Sequence, residues 1–202
     1  MRDPGTSAID ALSPGHYGAA STGVTLAPAT IAAAWNVQGN PVRPMFAAAM
    51  RRLFDIALPA LPNTTVKTDP LTALWLGPAS WLLLAGGPSP LVDFIAKRDA
   101  LNAQGGALFD VTSSRVAWTL SGDRAADVLA SGCPLDFHPR EFRAGGCAQS
   151  VFGHINVLIE KRDEAPAFTL LVARSFARDA GHALGRAAAQ YGCDVMPPSP
   201  YR

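Results

Sequence analysis

The sequence predicts an α+β protein made of two similar halves, each running strand, helix, strand, strand, helix. Short apolar runs with period-two alternation are interleaved with stretches in which apolar side chains recur every three or four residues. Gly and Pro punctuate the boundaries between them. Some spacings occur twice: Trp35-x-x-x-Gly39 corresponds to Trp118-x-x-x-Gly122, and Ser89 and Ser175 stand ahead of helices of similar length that include Gln104 and Gln190. The expected division is an irregular N-terminal arm at 1–30, a first half at 31–106, a second half at 107–196 and a C-terminal tail at 197–202.

Residues 1–30 are rich in Gly, Ala, Ser, Thr and Pro without a sustained period, which predicts an arm ordered mainly by a partner. A short apolar stretch from Ile31 leads through Trp35 and stops at Gly39, Asn40 and Pro41. Pro44 opens a helix whose stripe is Phe46, Met50, Leu53, Phe54 and Ala57, ended by Pro59 and Pro62. Leu71–Leu76 and Trp81–Leu84 read as strands joined by the turn Gly77-Pro78-Ala79-Ser80. Ser89 followed by Pro90 suits an N-cap and first turn, with Leu91, Phe94, Ile95 and Leu101 as the buried stripe and Gly105 and Gly106 as the stop.

In the second half, Val116, Trp118 and Leu120 form one face of a strand, and Gly122 and Asp123 turn into a short helix with Ala126 and Leu129. Val151–Glu160 and Phe168–Ala173 read as strands separated by the charged turn Lys161-Arg162-Asp163-Glu164 and Pro166. Ser175 is expected to cap a last helix carrying Phe176, Leu184, Ala187, Ala188 and Tyr191, ended by Gly192.

At 202 residues the chain can build one substantial core or two small halves. Its 49% hydrophobic and 16% charged content implies a surface partly covered by another molecule, which favours a subunit over a monomer. A formal net charge of +1 with scattered arginines gives neither a basic stripe nor an aromatic platform, so nucleic acid is not an expected partner. The N-terminus has no apolar run suited to a signal peptide or a membrane span, so a cytoplasmic location without membrane association is expected. Cys133, Cys147 and Cys193 are odd in number and widely spaced, which fits reduced thiols better than disulfides or zinc.

Catalytic chemistry is sparse. Of His16, His138, His154 and His182, only His154 falls in an expected strand, on the face of Phe152, Asn156 and Leu158, as a core or interface histidine. His138 is within reach of Cys133 along Cys133-Pro-Leu-Asp-Phe-His138, as a thiol and base or as a structural turn whose Asp136 accepts backbone N–H groups. The glycine pairs form no GxGxxG or phosphate loop, and no HExxH or acidic cluster is available to a metal. Of the four tryptophans, Trp81 beside the Pro78 turn is the preferred partner anchor.

Several segments together resemble the gamma subunit of heterotetrameric sarcosine oxidase, from about Trp75 to Gly192. They are Trp75-Leu-Gly-Pro78-x-x-Trp81-Leu-Leu-Leu84, Asp110-Val-Thr-Ser-Ser-Arg115, Leu120-Ser-Gly122, Val128-Leu129, Cys133-Pro-Leu-Asp136 and Gly145-Gly-Cys-Ala-Gln-Ser150. The resemblance implies a fold related to the N-terminal part of glycine-cleavage aminomethyltransferases and YgfZ-type folate-binding proteins. It further implies an assembly with alpha, beta and delta subunits, packed mainly on alpha, that demethylates sarcosine to glycine. FAD, FMN, NAD, zinc and tetrahydrofolate are then expected in the other subunits and no cofactor in this one. Trp75, Trp81, Asp110, Arg115, Cys133, Asp136 and His154 become candidate interface or structural positions, with no catalytic, cofactor or metal residue assigned. A stand-alone folate-binding one-carbon protein and a small regulatory module with a polar pocket between the halves are the alternatives.

Overall fold

The structure is a computed structural model that describes residues 12–87 and 92–201. Two compact units are present, one formed by 1–30 with 114–199 and the other by 31–113 with 200–202. The N-terminal segment enters as β1 (Gly15–Tyr17) and β2 (Val24–Thr30). The expected irregular arm is therefore corrected over these residues, while its first eleven lie outside the described ones. Val24, Leu26, Ala27 and Ala29 are buried in β2, so the strand is held by apolar burial that a Gly-, Ser- and Pro-rich composition conceals. Pro28 argues against a central strand on sequence grounds, yet the β2 ladder to its parallel neighbour ends opposite Leu26, before the proline.

The unit of 31–113 runs β3 (Ala33–Gly39), α1 (Pro44–Phe54), β4 (Thr65–Thr68), β5 (Leu71–Gly77), β6 (Ser80–Ala85), α2 (Phe94–Asn102) and β7 (Gly106–Asp110). Its antiparallel sheet has the order β4-β5-β6-β3-β7. Trp81, Leu83 and Ala85 join Phe46, Met50 and Leu101 in one core, and the alternate residues Leu82 and Leu84 are buried as well. Burial on both faces explains why these strands read as unbroken apolar runs.

Three details depart from expectation in this unit. The first helix ends at Phe54, where Asp55 takes a left-handed conformation (φ 51°), so Ala57 lies outside it. The second helix starts at Phe94, and the expected cap at Ser89 and Pro90, with Leu91, lies outside the described residues. β7 pairs with β3, so the unit extends to 113 and not 106; five residues between a glycine pair and Thr-Ser-Ser carry too little pattern to reveal a strand.

The other unit continues with β8 (Arg115–Ser121), α3 (Ala125–Ala130), β9 (Gly146–Phe152), β10 (Ile155–Lys161), β11 (Ala167–Ala173), α4 (Ala177–Ala189) and β12 (Cys193–Val195). Its strands lie in the order β9-β10-β11-β8-β2-β12-β1. Two similar units are present as expected, each longer than the expected strand, helix, strand, strand, helix by two strands: strand, helix, three strands, helix, strand, with matching sheet order. The second copy differs by accepting β2 between its first strand β8 and its last strand β12, which lengthens the sheet from the chain's own N-terminus.

Val151–Glu160, expected as one strand, is instead a hairpin turning at Gly153 and His154, with Gly153 at φ 61°. The charged turn starts one residue late, because Glu160 and Lys161 are buried strand residues at 1% and 2% exposure. Lys161 lays its ammonium 5.9 Å from the Phe168 ring centre, and Arg162 Nε donates to Glu160 Oε2 at 3.3 Å. A 3-10 turn at Arg174–Phe176 opens the last helix, and Ser175 makes no capping hydrogen bond. Within the expected C-terminal tail Tyr201 is buried, packed so closely on Gly86 that a Cβ there would overlap the Tyr201 carbonyl.

Candidate functional site

The seven candidate positions divide between the two units. Trp75, Trp81 and Asp110 belong to one unit, and Arg115, Cys133, Asp136 and His154 to the other. Trp81 is 1% exposed, donates Nε1–H to the Pro59 carbonyl at 2.9 Å and packs on Phe46 with ring centres 6.0 Å apart. A partner anchor must be reachable, so its role is corrected to a core tryptophan whose polar edge is satisfied internally. Trp75 lies directly across the β5–β6 ladder from Trp81, half-buried beside the same core and next to a bulge.

Asp110 closes β7 by accepting the Thr112 N–H at 2.9 Å, while Thr112 Oγ1 accepts the Ala34 N–H at 3.0 Å. Its carboxylate shapes the exit from the strand. Arg115 opens β8 half-buried, and that burial draws its guanidinium below the usual arginine range. His154 is exposed in the hairpin turn, not on a strand face; Gly153, which supplies the positive φ, is the signal that would have placed it there.

Cys133 is buried after α3, with Sγ 3.4 Å from Ser150 Oγ on β9. His138 does not reach it: Asp136 Oδ1 accepts the His138 N–H at 2.8 Å, and His138 Nδ1 accepts the Arg140 N–H at 3.2 Å. A nucleophile needs access and a base, and this thiol has neither. The turn instead delivers Phe137 into a cluster with Phe142 and Phe168, at 5.5 and 5.6 Å. Gly132 fixes the same corner, its carbonyl accepting the Gly153 N–H at 2.7 Å. A Cβ on Gly132 would stand 2.8 Å from the Phe152 ring. Cys133-Pro-Leu-Asp136 and Gly145–Ser150 thus meet in space as a structural corner.

A separate polar constellation joins the N-terminal strand to β12. His16 Nδ1 lies 2.7 Å from Asp194 Oδ1, its Nε2 lies 2.7 Å from the Ala19 carbonyl, and Thr22 Oγ1 donates to Asp194 Oδ2 at 2.9 Å. Hydrogen bonding to Asp194 and then to Ala19 raises the His16 pKa, and the bonds from His16 and Thr22 lower that of Asp194. The preceding residue, Cys193, is buried, which pushes its thiol upward. The pair joins β1 to β12 across 178 residues, so no local signal announces it.

Among the described residues no three His, Cys, Asp or Glu side chains group to hold a metal ion, and all three cysteines are free and buried. A cleft of about 380 Å³ in the unit of 31–113 is lined by Lys67, Asp69, Thr72, Gly86, Gly87 and Tyr201. No helix among the described residues is long and apolar enough to cross a membrane.

Comparison with known proteins gives consistent matches. The model of the sarcosine oxidase gamma subunit family matches residues 38–190. Sarcosine oxidase subunit gamma of Corynebacterium sp. (strain U-96) is 32% identical over 136 residues, 67% of this chain and 65% of the relative. That of Arthrobacter sp. is 33% identical over 97 residues, 48% of this chain and 47% of the relative. The aligned region thus spans less than two thirds of either relative. Among solved structures, a chain of the heterotetrameric sarcosine oxidase from Corynebacterium sp. U-96 matches with a TM-score of 0.77 and 28% identity, over 87% of this chain and 88% of that one. Glycine cleavage system aminomethyltransferase T from Bartonella henselae has the same fold over 88% of this chain and 48% of its own, with a TM-score of 0.58 and 14% identity.

Proposed function

Because this chain belongs to the sarcosine oxidase gamma subunit family, we propose that it is an accessory subunit that stabilises a heterotetrameric, cytoplasmic N-methyl amine oxidase. The family match across most of both units carries the proposal. In this assembly the partners are alpha, beta and delta subunits, with alpha the main contact. The complex demethylates sarcosine to glycine with oxygen as electron acceptor, and tetrahydrofolate takes the one-carbon unit. FAD, FMN, NAD, zinc and folate are held by the other subunits, where the flavin supplies the oxidising chemistry.

The residues of this chain support the division of labour. Its turns at Asp110, Asp136 and Gly132 spend their polar groups on backbone hydrogen bonds. Its cysteines are buried in cores.

Co-expression with the other three subunits tests the proposal. The tagged chain should purify with them in equal stoichiometry, and the complex should carry flavin absorbance and sarcosine-dependent peroxide formation. A monodisperse chain that captures none of them would remove the proposal. Titration of the isolated chain with tetrahydrofolate separates the stand-alone alternative, which requires micromolar binding with turnover.

A further inference from the structure

The two units repeat one topology, so α1 corresponds to α3 and α2 to α4, and their outward faces can be compared position by position. They differ in chemistry. On α4 the exposed side chains are Arg178, Asp179, His182 and Arg186, a face of mixed charge suited to water. On α1, Phe46, Met50 and Phe54 turn inward, leaving Met45, Ala47, Ala48, Arg51 and Arg52 exposed. On α2, packed beside it, Ile95 is 65% exposed, and Met45 is 63% exposed. Six of the eight large hydrophobic side chains exposed among the described residues lie in this one unit, which places the apolar excess here and not on its repeat.

We propose that the outward face of the α1–α2 layer is the docking face for a partner subunit that presents an apolar strip with carboxylates set against Arg51 and Arg52. Charge complementarity selects this occupant. Asp99 is the one acidic residue within the two helices, and Arg98 engages it at 2.9 Å. Arg51 and Arg52 have no ion-pair partner among the described residues. With Arg51, Arg52, Lys97 and Arg98 against Asp99 within the helices, and Asp55 and Asp93 at their ends, the layer carries an excess of positive charge, so a chain richer in carboxylates complements it better than a second copy of this one. Arginine flanked by alanine and methionine also suits an interface: the small side chains permit close approach and the guanidinium makes a bidentate bond at the margin.

The inference rests on the subunit proposal above, and the test separates the two. The full tagged chain is co-expressed with the other three subunits as wild type, as Ala48→Arg, as Arg51→Glu/Arg52→Glu, and as Arg178→Glu/Arg186→Glu on the outward face of α4 in the other unit. Capture of the other subunits should fall at least tenfold for the two α1 variants and stay at the wild-type level for the α4 variant. Circular dichroism melts of the isolated chains should match the wild type. If the charge reversal unfolds the helix, Arg51→Gln/Arg52→Gln carries the same test, through a weaker salt dependence of capture. Wild-type capture by folded α1 variants would overturn the surface assignment while leaving the subunit proposal standing, whereas failure of the wild type to capture would overturn both. A chain that dimerises alone and loses that dimer in Ala48→Arg would assign the face to self-association and overturn the proposal.

Discussion

Trp81 and Trp118 are both fully buried, and they differ in one atom's circumstances. Trp81 Nε1 bonds the Pro59 carbonyl, while Trp118 Nε1 has no hydrogen-bond partner among the described residues. Replacement by Phe removes similar ring volume from each, but Trp81→Phe also leaves a buried carbonyl unsatisfied, at about 1–3 kcal/mol. Trp81→Phe should therefore unfold at a lower urea midpoint than Trp118→Phe, with the same m-value in both. At His16 the governing variable is pH. Its raised pKa makes the contact with Asp194 fully effective below the reference 6.5 and weaker as pH rises through the folded value; the lowered pKa of Asp194 makes it effective above the reference 3.8 and weaker as pH falls through the folded value. Amide exchange of β1 should accordingly be slowest between those two references. Asp194→Asn should lower the His16 titration midpoint seen by NMR, and an unchanged midpoint would show that the pair does not form. Neither partner was legible, since Asp194 is 178 residues distant and His16 sits in a segment without period.

Legibility at the element scale followed the strength of local pattern. The β5–β6 hairpin could be read because Gly77 and Pro78 stand between two apolar runs, and β8 because Val116, Trp118 and Leu120 alternate cleanly. β4 and β7 are four and five residues long and owe their order to β5 and β3, a tertiary cause that leaves little trace in sequence. The β9–β10 hairpin was hidden because Gly153-His154 interrupts a continuous apolar stretch without a proline or an Asn-Gly pair. The α3 corner shows what a motif can mean without chemistry. Gly132→Ala should destabilise the chain by about 1–3 kcal/mol through pressure on the buried Phe152 ring, lowering the melting temperature by roughly 2–10 °C. A double change with Phe152→Leu should recover part of that loss, and a Gly132→Ala melt equal to wild type would refute the close packing.

For the whole molecule, the repeat was visible in a handful of letters, whereas the partition of the chain was not. Sequence order suggested a loose arm followed by two successive halves; the structure gives residues 12–30 to the second repeat and Pro200 and Tyr201 to the first. A chain starting at Ile31 should therefore be insoluble or aggregated, because β8 and β12 would each expose an apolar ladder edge in mid-sheet. Supplying Ser13–Thr30 as a separate peptide should restore solubility, and a soluble, cooperatively melting truncated chain would contradict the role of β2.

The placement of β2 also sets an order of events during synthesis. Ala27 accepts a hydrogen bond from Thr119, 92 residues later in the chain, so β2 leaves the ribosome and is complete long before its neighbour exists. At about 5–20 residues per second, that wait lasts roughly 5–20 seconds. The unit of 31–113 has by then emerged with nearly all of its strands and can close first, while β2 stays unpaired until β8 follows it. The nascent chain thus spends its longest interval as one finished unit tethered to a bare apolar strand, and that interval is when a chaperone or an early-arriving partner has access to it.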